Sequence, residues 1–105
     1  VSTQALTMLN SDATIRAASV FARRVEAEAA SDPVGRAVLT AFSREARPAE
    51  HEVLSEFFAA QRLRYLEQHA EADRVKTEVV TDARHKALAD LCHMLMSANE
   101  FIYVD

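Results

Sequence analysis

"SDPVGRAVL", residues 31–39, holds the clearest helix start in the chain. Asp32 stands where an N-cap carboxylate accepts from the first free backbone N–H groups. Pro33 follows at the first helical position, where a missing N–H costs nothing. Val34, Val38, Ala41 and Phe42 then recur at three- and four-residue steps, the helical period. Gly35, in the first turn, is expected to allow close packing. This boundary closes one helix and opens another, and Pro48 marks the next start in the same way. The chain has one Gly and two Pro, too few breakers for a sheet with many turns, so long helices are expected throughout.

On the N-terminal side, Asn10, Ser11 and Asp12 are three consecutive candidate caps for a helix running to about Ala30. Its apolar stripe is Ile15, Ala18, Ala22, Val25 and Ala29, widened by Ala17 and Phe21. Residues 2–9, "STQALTML", are expected to form a short first helix capped by Ser2 or Thr3. On the C-terminal side, the helix from Pro48 carries Leu54, Phe57, Phe58, Gln61, Tyr65 and Leu66 on one side. It is expected to end between Glu71 and Thr77. The β-branched cluster Thr77, Val79, Val80 and Thr81 weakens a helix there. Thr81 or Asp82 would cap the last helix, whose stripe is Leu88, Leu91, Cys92 and Leu95 with Met96 at its edge. That helix should finish near Asn99 or Glu100. The fold class is therefore all-α, a bundle of four main helices plus a short N-terminal helix. Phe42, Phe57, Phe58, Leu88, Leu91 and Leu95 are expected to dominate the core.

Length and composition set further bounds. A chain of 105 residues suggests one domain, and its 50% hydrophobic content is not that of a disordered chain. A net charge of −4 argues against a nucleic-acid surface, which needs a basic patch. No run of about 18 apolar residues exists, so no membrane span is expected. A single cysteine, Cys92, excludes an internal disulfide and reads as a small core residue. The chain begins at Val1 and is expected to be cut from something longer.

The candidate chemistry is thin. Asp82 and His85, and Asp90 and His93, each place a carboxylate three residues before a histidine. Dimetal bundles use Glu-x-x-His pairs from two helices. Here both pairs lie on one helix, and His93 turns away from the apolar stripe. No metal site is expected, and the histidines read as solvated or at the helix edge. "HEVLS", residues 51–55, begins like a zinc-protease helix, but Ser55 stands where the second histidine is needed. One cysteine excludes covalent haem attachment through Cys-x-x-Cys-His. No phosphate-binding glycine loop and no nucleophile elbow is present. The charged residues Arg23, Arg24, Glu26, Arg62, Arg64 and Glu67 read as a solvated face, with partner binding the alternative. The ending "NEFIYVD", residues 99–105, is more informative. Phe101, Ile102 and Tyr103 each forgo about 1.5–3 kcal/mol of burial if left in water. Either the tail folds over the bundle or it docks another domain.

Three stretches in order carry a family resemblance: "QALTMLNS" (4–11), "FSREARPAEHE" (42–52) and "ALADLCHMLMSANEFIYVD" (87–105). Together they resemble the C-terminal end of the planctomycete secreted domain family, large multidomain bacterial proteins of unknown function. Those proteins often occur with planctomycete-type cytochrome c domains. The family pattern is Gln-Ala-Leu…Leu-Asn, then Ser-Arg-x-Pro…Glu, then Leu-Cys-x-x-Leu…Asn-Glu-Phe-x-Tyr-Val. Ser43, Arg44 and Glu50 match the turn, whereas Ala46 stands where proline is usual and Pro48 comes two residues later. The resemblance implies a module at the C-terminal end of an exported protein, with any haem in a different domain. It supplies no catalytic residue and no cofactor for this chain.

On that reading the module is non-catalytic and stabilises or docks upstream domains of its own parent chain. Asn99 ends the last helix, Glu100 is exposed or pairs with an arginine, and Phe101 and Tyr103 pin the tail to the bundle or to the upstream domain. An enzyme or redox fragment, completed by chemistry upstream, is the alternative. It would show an open polar cluster around Gln4, Asn10, Arg44 and Glu100. A free-standing protein-binding domain would instead expose a large contiguous apolar patch.

Overall fold

The computed structural model describes residues 11–98. Four α-helices account for most of them: α1 (Asp12–Glu28), α2 (Pro33–Phe42), α3 (Pro48–Glu67) and α4 (Thr77–Met96). A single 3₁₀ turn, Glu71–Asp73, lies between α3 and α4, and no strand occurs among the described residues. The expected all-α bundle of four main helices is the observed fold. The short N-terminal helix, with Gln4 and Asn10, lies outside the described residues, as do Asn99, Glu100, Phe101 and Tyr103.

The local starts follow the sequence. Ser11 caps α1 by accepting from the Thr14 N–H. Asp32 caps α2 by accepting from the Gly35 N–H at 3.1 Å, with Pro33 at the first helical position. Gly35 serves this cap rather than helix packing. A Cβ built there would overlap Asp32 Oδ2 and stand 3.0 Å from its Cγ. At the start of α3, Glu50 reaches back to accept from the Arg47 N–H at 2.8 Å, the second half of a capping box.

The α3–α4 boundary differs from expectation. α3 stops at Glu67, earlier than its lack of Gly and Pro suggests, and α4 starts at Thr77 with no side-chain cap. The β-branched cluster 77–81 therefore lies inside the first turns of α4. Its helix-propensity cost is a few tenths of a kcal/mol per residue, which the packed remainder of α4 outweighs. The break is made by the 3₁₀ turn, held by Lys76 on Asp73 at 2.8 Å and by Arg74 Nε donating to the His69 carbonyl at 3.1 Å.

α4 is the centre of the bundle and contacts each of the other three helices, α1 and α3 most extensively. Its stripe Ala83, Ala87, Leu88, Leu91, Cys92 and Leu95 is buried. α1 meets it with small residues, Ala18, Ala22 and Val25, which suit a close helix–helix approach. α2 adds Val34, Ala37 and Val38, and α3 adds Phe58. Burying Leu88 or Leu91 is worth about 1.5–3 kcal/mol each. Phe42 and Phe57, expected at the centre, pack on the core from its edge. Ile15, at the edge of the α1 stripe, is 53% exposed.

Candidate functional site

The polar side chains that meet between helices form four groups. In the first, His85 of α4 stands between two residues of α1. Its Nδ1 is 3.0 Å from Glu26 Oε1 and its Nε2 is 2.9 Å from Ser19 Oγ. An ionised carboxylate only accepts, so Nδ1 carries the proton and, in the neutral ring, Nε2 accepts from the Ser19 hydroxyl. His85 is thus neither solvated nor at an idle helix edge, and Glu26 does not belong to a solvated face. Both were legible only as long-range partners, 59 and 66 residues apart in sequence.

Hydroxyl, imidazole and carboxylate occur here in the order of a hydrolase triad. The backbone around them is wrong for that chemistry. Ser19 sits in the middle of α1, where its own N–H and that of Val20 belong to the i→i−4 ladder. Neither can stabilise an oxyanion, which is usually the largest single catalytic contribution. The chemistry available to the group is a tie between α1 and α4.

The second group is built on Asp90 of α4. Tyr65 Oη donates to Asp90 Oδ2 at 2.6 Å and Gln61 Nε2 donates to the same oxygen at 2.8 Å. Burial, then the bond to Asp90, pushes the Tyr65 phenol up to about 12. The Asp90–His93 pair of the sequence is thereby divided in role, since Asp90 faces α3. Asp82 likewise pairs with Lys86 at 2.8 Å rather than with His85.

The third group surrounds the α2 start. His51 Nε2 lies 2.9 Å from Asp32 Oδ1, and His51 Nδ1 lies 3.4 Å from Ser55 Oγ. The His51 bond, then the Gly35 N–H, holds the Asp32 carboxyl below its usual range. A cleft of about 350 Å³ opens beside it, with Arg36, Leu39 and Glu45 on its wall. Asp32 therefore does two jobs at once, capping α2 and fixing α3 against it.

The fourth group contains Arg44, the one expected polar-cluster residue within the described part. Its guanidinium grips Glu50 in a two-pronged pair, Nη1 to Oε1 at 2.7 Å and Nη2 to Oε2 at 2.8 Å. It also lies 5.4 Å from the Phe42 ring centre. This pair, with the Arg47 N–H, holds the Glu50 carboxyl down at about 2. Ser43 turns the chain ahead of it in the left-handed conformation, φ 57°. The Ser43–Arg44…Glu50 pattern thus has a structural role across the α2–α3 corner. Ala46, where the pattern usually has proline, contributes no part of it.

Other expected sites resolve similarly. Arg24 and Arg36 both reach Glu28, each at 3.0 Å, joining the end of α1 to α2. Arg62 lies 5.5 Å from the Phe58 ring centre. Cys92 is fully buried, and burial, then nearby Glu26, pushes its thiol up to about 12, the environment of an unreactive thiol. Among the described residues no cluster of three metal-ligating side chains forms, and no helix is long and apolar enough to cross a membrane. The described residues also have no buried side-chain nitrogen or oxygen without a partner.

One apolar feature is open. A groove of about 570 Å³ runs between the first half of α3 and the end of α4, lined by Phe42, Val53, Leu54, Met94, Leu95 and Ala98. Glu50 borders it, already engaged by Arg44.

The described residues thus form an all-α four-helix bundle whose interhelical polar groups pair with one another. Residues 1–58, just over half of the chain, match the family described as PSD1, Protein of unknown function (DUF1553), and the chain belongs to that family. No curated protein and no solved structure matches it.

Proposed function

We propose that the chain is a non-catalytic helical module near the C-terminal end of a larger exported protein, where it stabilises or docks the domains that precede it. The observation that carries this reading is the placement of its interhelical polar residues. Glu26 and Ser19 on His85, Tyr65 and Gln61 on Asp90, Asp32 on His51, and Arg44 on Glu50 all connect one helix to another or brace a helix corner. Such pairs fix the relative placement of helices. An enzyme fragment would hold a polar group toward open space for a substrate, and Arg44 is instead held by Glu50. Export and the C-terminal position rest on the resemblance to the planctomycete secreted domain family that residues 4–11, 42–52 and 87–105 carry.

The test is co-purification. The 105-residue chain and the segment preceding it in the parent protein are produced separately and run together on gel filtration. Co-elution, with a rise in the Tm of the mixture over either part, is the expected result. Separate elution with unchanged Tm values contradicts the docking role.

A further inference from the structure

We infer that the cleft where α1, α3 and α4 meet is a binding site for a small monocarboxylate, held by Arg62 and Arg84. The cleft measures about 360 Å³ and is lined by Glu26 of α1, Arg62 of α3, and Val80, Thr81 and Arg84 of α4. That volume lies at the small end of the range of about 300–1,000 Å³ found for ligand pockets. Three helices thus bring two guanidinium groups to one concavity, on a chain whose net charge is −4.

These two arginines differ from those that brace the bundle. Arg24, Arg36, Arg44 and Arg47 each pair with a carboxylate. Arg62 and Arg84 are both half-buried, yet neither pairs with a carboxylate among the described residues. Arg62 rests on the Phe58 ring, 5.5 Å from its centre, and donates no hydrogen bond to a described residue. Arg84 uses Nη2 alone, which donates to the Ala30 carbonyl at 2.8 Å. The two contacts steady both side chains and leave guanidinium N–H groups without an acceptor. A planar fork held in this way loses little freedom when an anion arrives.

Charge and shape select the ligand. A carboxylate matches the guanidinium fork and takes charge-assisted hydrogen bonds from it. Glu26 sets the charge that fits. Its Oε1 is engaged by His85 Nδ1, and two guanidinium charges against this one carboxylate leave the cleft positive by one. A monoanion neutralises that charge, whereas a dianion adds repulsion from Glu26. Val80 gives the cleft an apolar wall for a short alkyl group, and Thr81 adds a hydroxyl.

The experiment is an NMR titration of the arginine Nε–H signals of the 105-residue chain with sodium acetate, against sodium chloride at equal ionic strength. The Arg62 and Arg84 signals should shift saturably with acetate and not with chloride, while the exposed Arg16 and Arg64 stay in place. Arg62→Gln breaks no hydrogen bond and should weaken acetate binding about tenfold, the loss of one charge-assisted contact. Arg64→Gln should leave it unchanged. Sulfate should bind more weakly than acetate. Arg62 and Arg84 signals that respond equally to acetate and chloride would overturn the site, and tighter binding of sulfate would overturn the monocarboxylate. Adding the segment that precedes the chain in the parent protein separates the sources. An unchanged acetate response supports a free ligand, whereas acetate displaced by that segment would give the cleft to one of its carboxylates and overturn the free ligand. The acetate response of the chain alone does not depend on docking, so its failure and that of co-purification are read separately.

Discussion

Tyr65 of α3 donates its phenolic hydrogen to Asp90 of α4 at 2.6 Å, across 25 residues of sequence. The bond joins the two helices that form one side of the bundle. It also accounts, after burial, for the raised pKa of the phenol. Folding lifts this pKa from 10.0 to about 12. The stability it carries is therefore complete below pH 10 and is lost as pH rises toward about 12. Absorbance titration of the native protein should show a phenolate that forms near pH 12 and is missing in Tyr65→Phe. The same variant should lose about 1 kcal/mol, because Gln61 still satisfies Asp90.

Glu50 gives the opposite dependence. Its pKa falls from 4.5 to about 2 through Arg44 first and the Arg47 N–H second. Its contribution is therefore present above about pH 4.5 and lost as pH falls toward 2. Arg44→Lys keeps the charge but removes the two-pronged fork. Carboxyl-resolved NMR titration should find the Glu50 pKa moved back toward 4.5 in that variant.

Gly35 tests the cap at the start of α2. Alanine is the better helix former by about 1 kcal/mol. Its Cβ would displace the Asp32 carboxylate, however, and loss of that cap costs a similar amount. Gly35→Ala should thus bring no gain in urea stability in the wild-type chain. In an Asp32→Ala background, where the cap is already gone, the same change should stabilise by about 1 kcal/mol.

Ser43 carries the only positive φ among the described non-glycine residues, 57°, at the end of α2. An L-residue held there costs about 1–2 kcal/mol that glycine does not incur. Ser43→Gly should raise Tm by about 4–8 °C, the shift that 1 kcal/mol produces in a domain of this size.

The two boundaries written in capping and proline chemistry, Ser11–Asp12 and Asp32–Pro33, were legible in the sequence, as was the buried stripe of α4. Each depends on residues a few positions apart. The end of α3 was not legible. It is made by a 3₁₀ turn and by ion pairs such as Lys76–Asp73, whose residue types also occur within helices. The polar ties were hidden for a different reason. His85 looked like a helix-edge residue because its partners, Ser19 and Glu26, come from another helix. Their spacing of seven places them on one face of α1. With hindsight this was a weak signal, since many helices carry two polar residues two turns apart. Of the expected polar cluster only Arg44 falls within the described residues, and its partner Glu50 was visible in advance only as a matched family position.

The account rests on the interhelical polar residues holding the bundle together rather than being held ready for a substrate. Urea unfolding of Ser19→Ala, His85→Ala and the double variant measures this most directly. Structural ties lose stability when cut and couple to one another, so each single variant should lose about 1–3 kcal/mol, with an interaction energy of about 1 kcal/mol between them. Residues kept for function are often held at a cost to the fold, so their removal leaves stability unchanged or improves it. Unchanged or increased stability in His85→Ala, with no coupling to Ser19, would contradict the account.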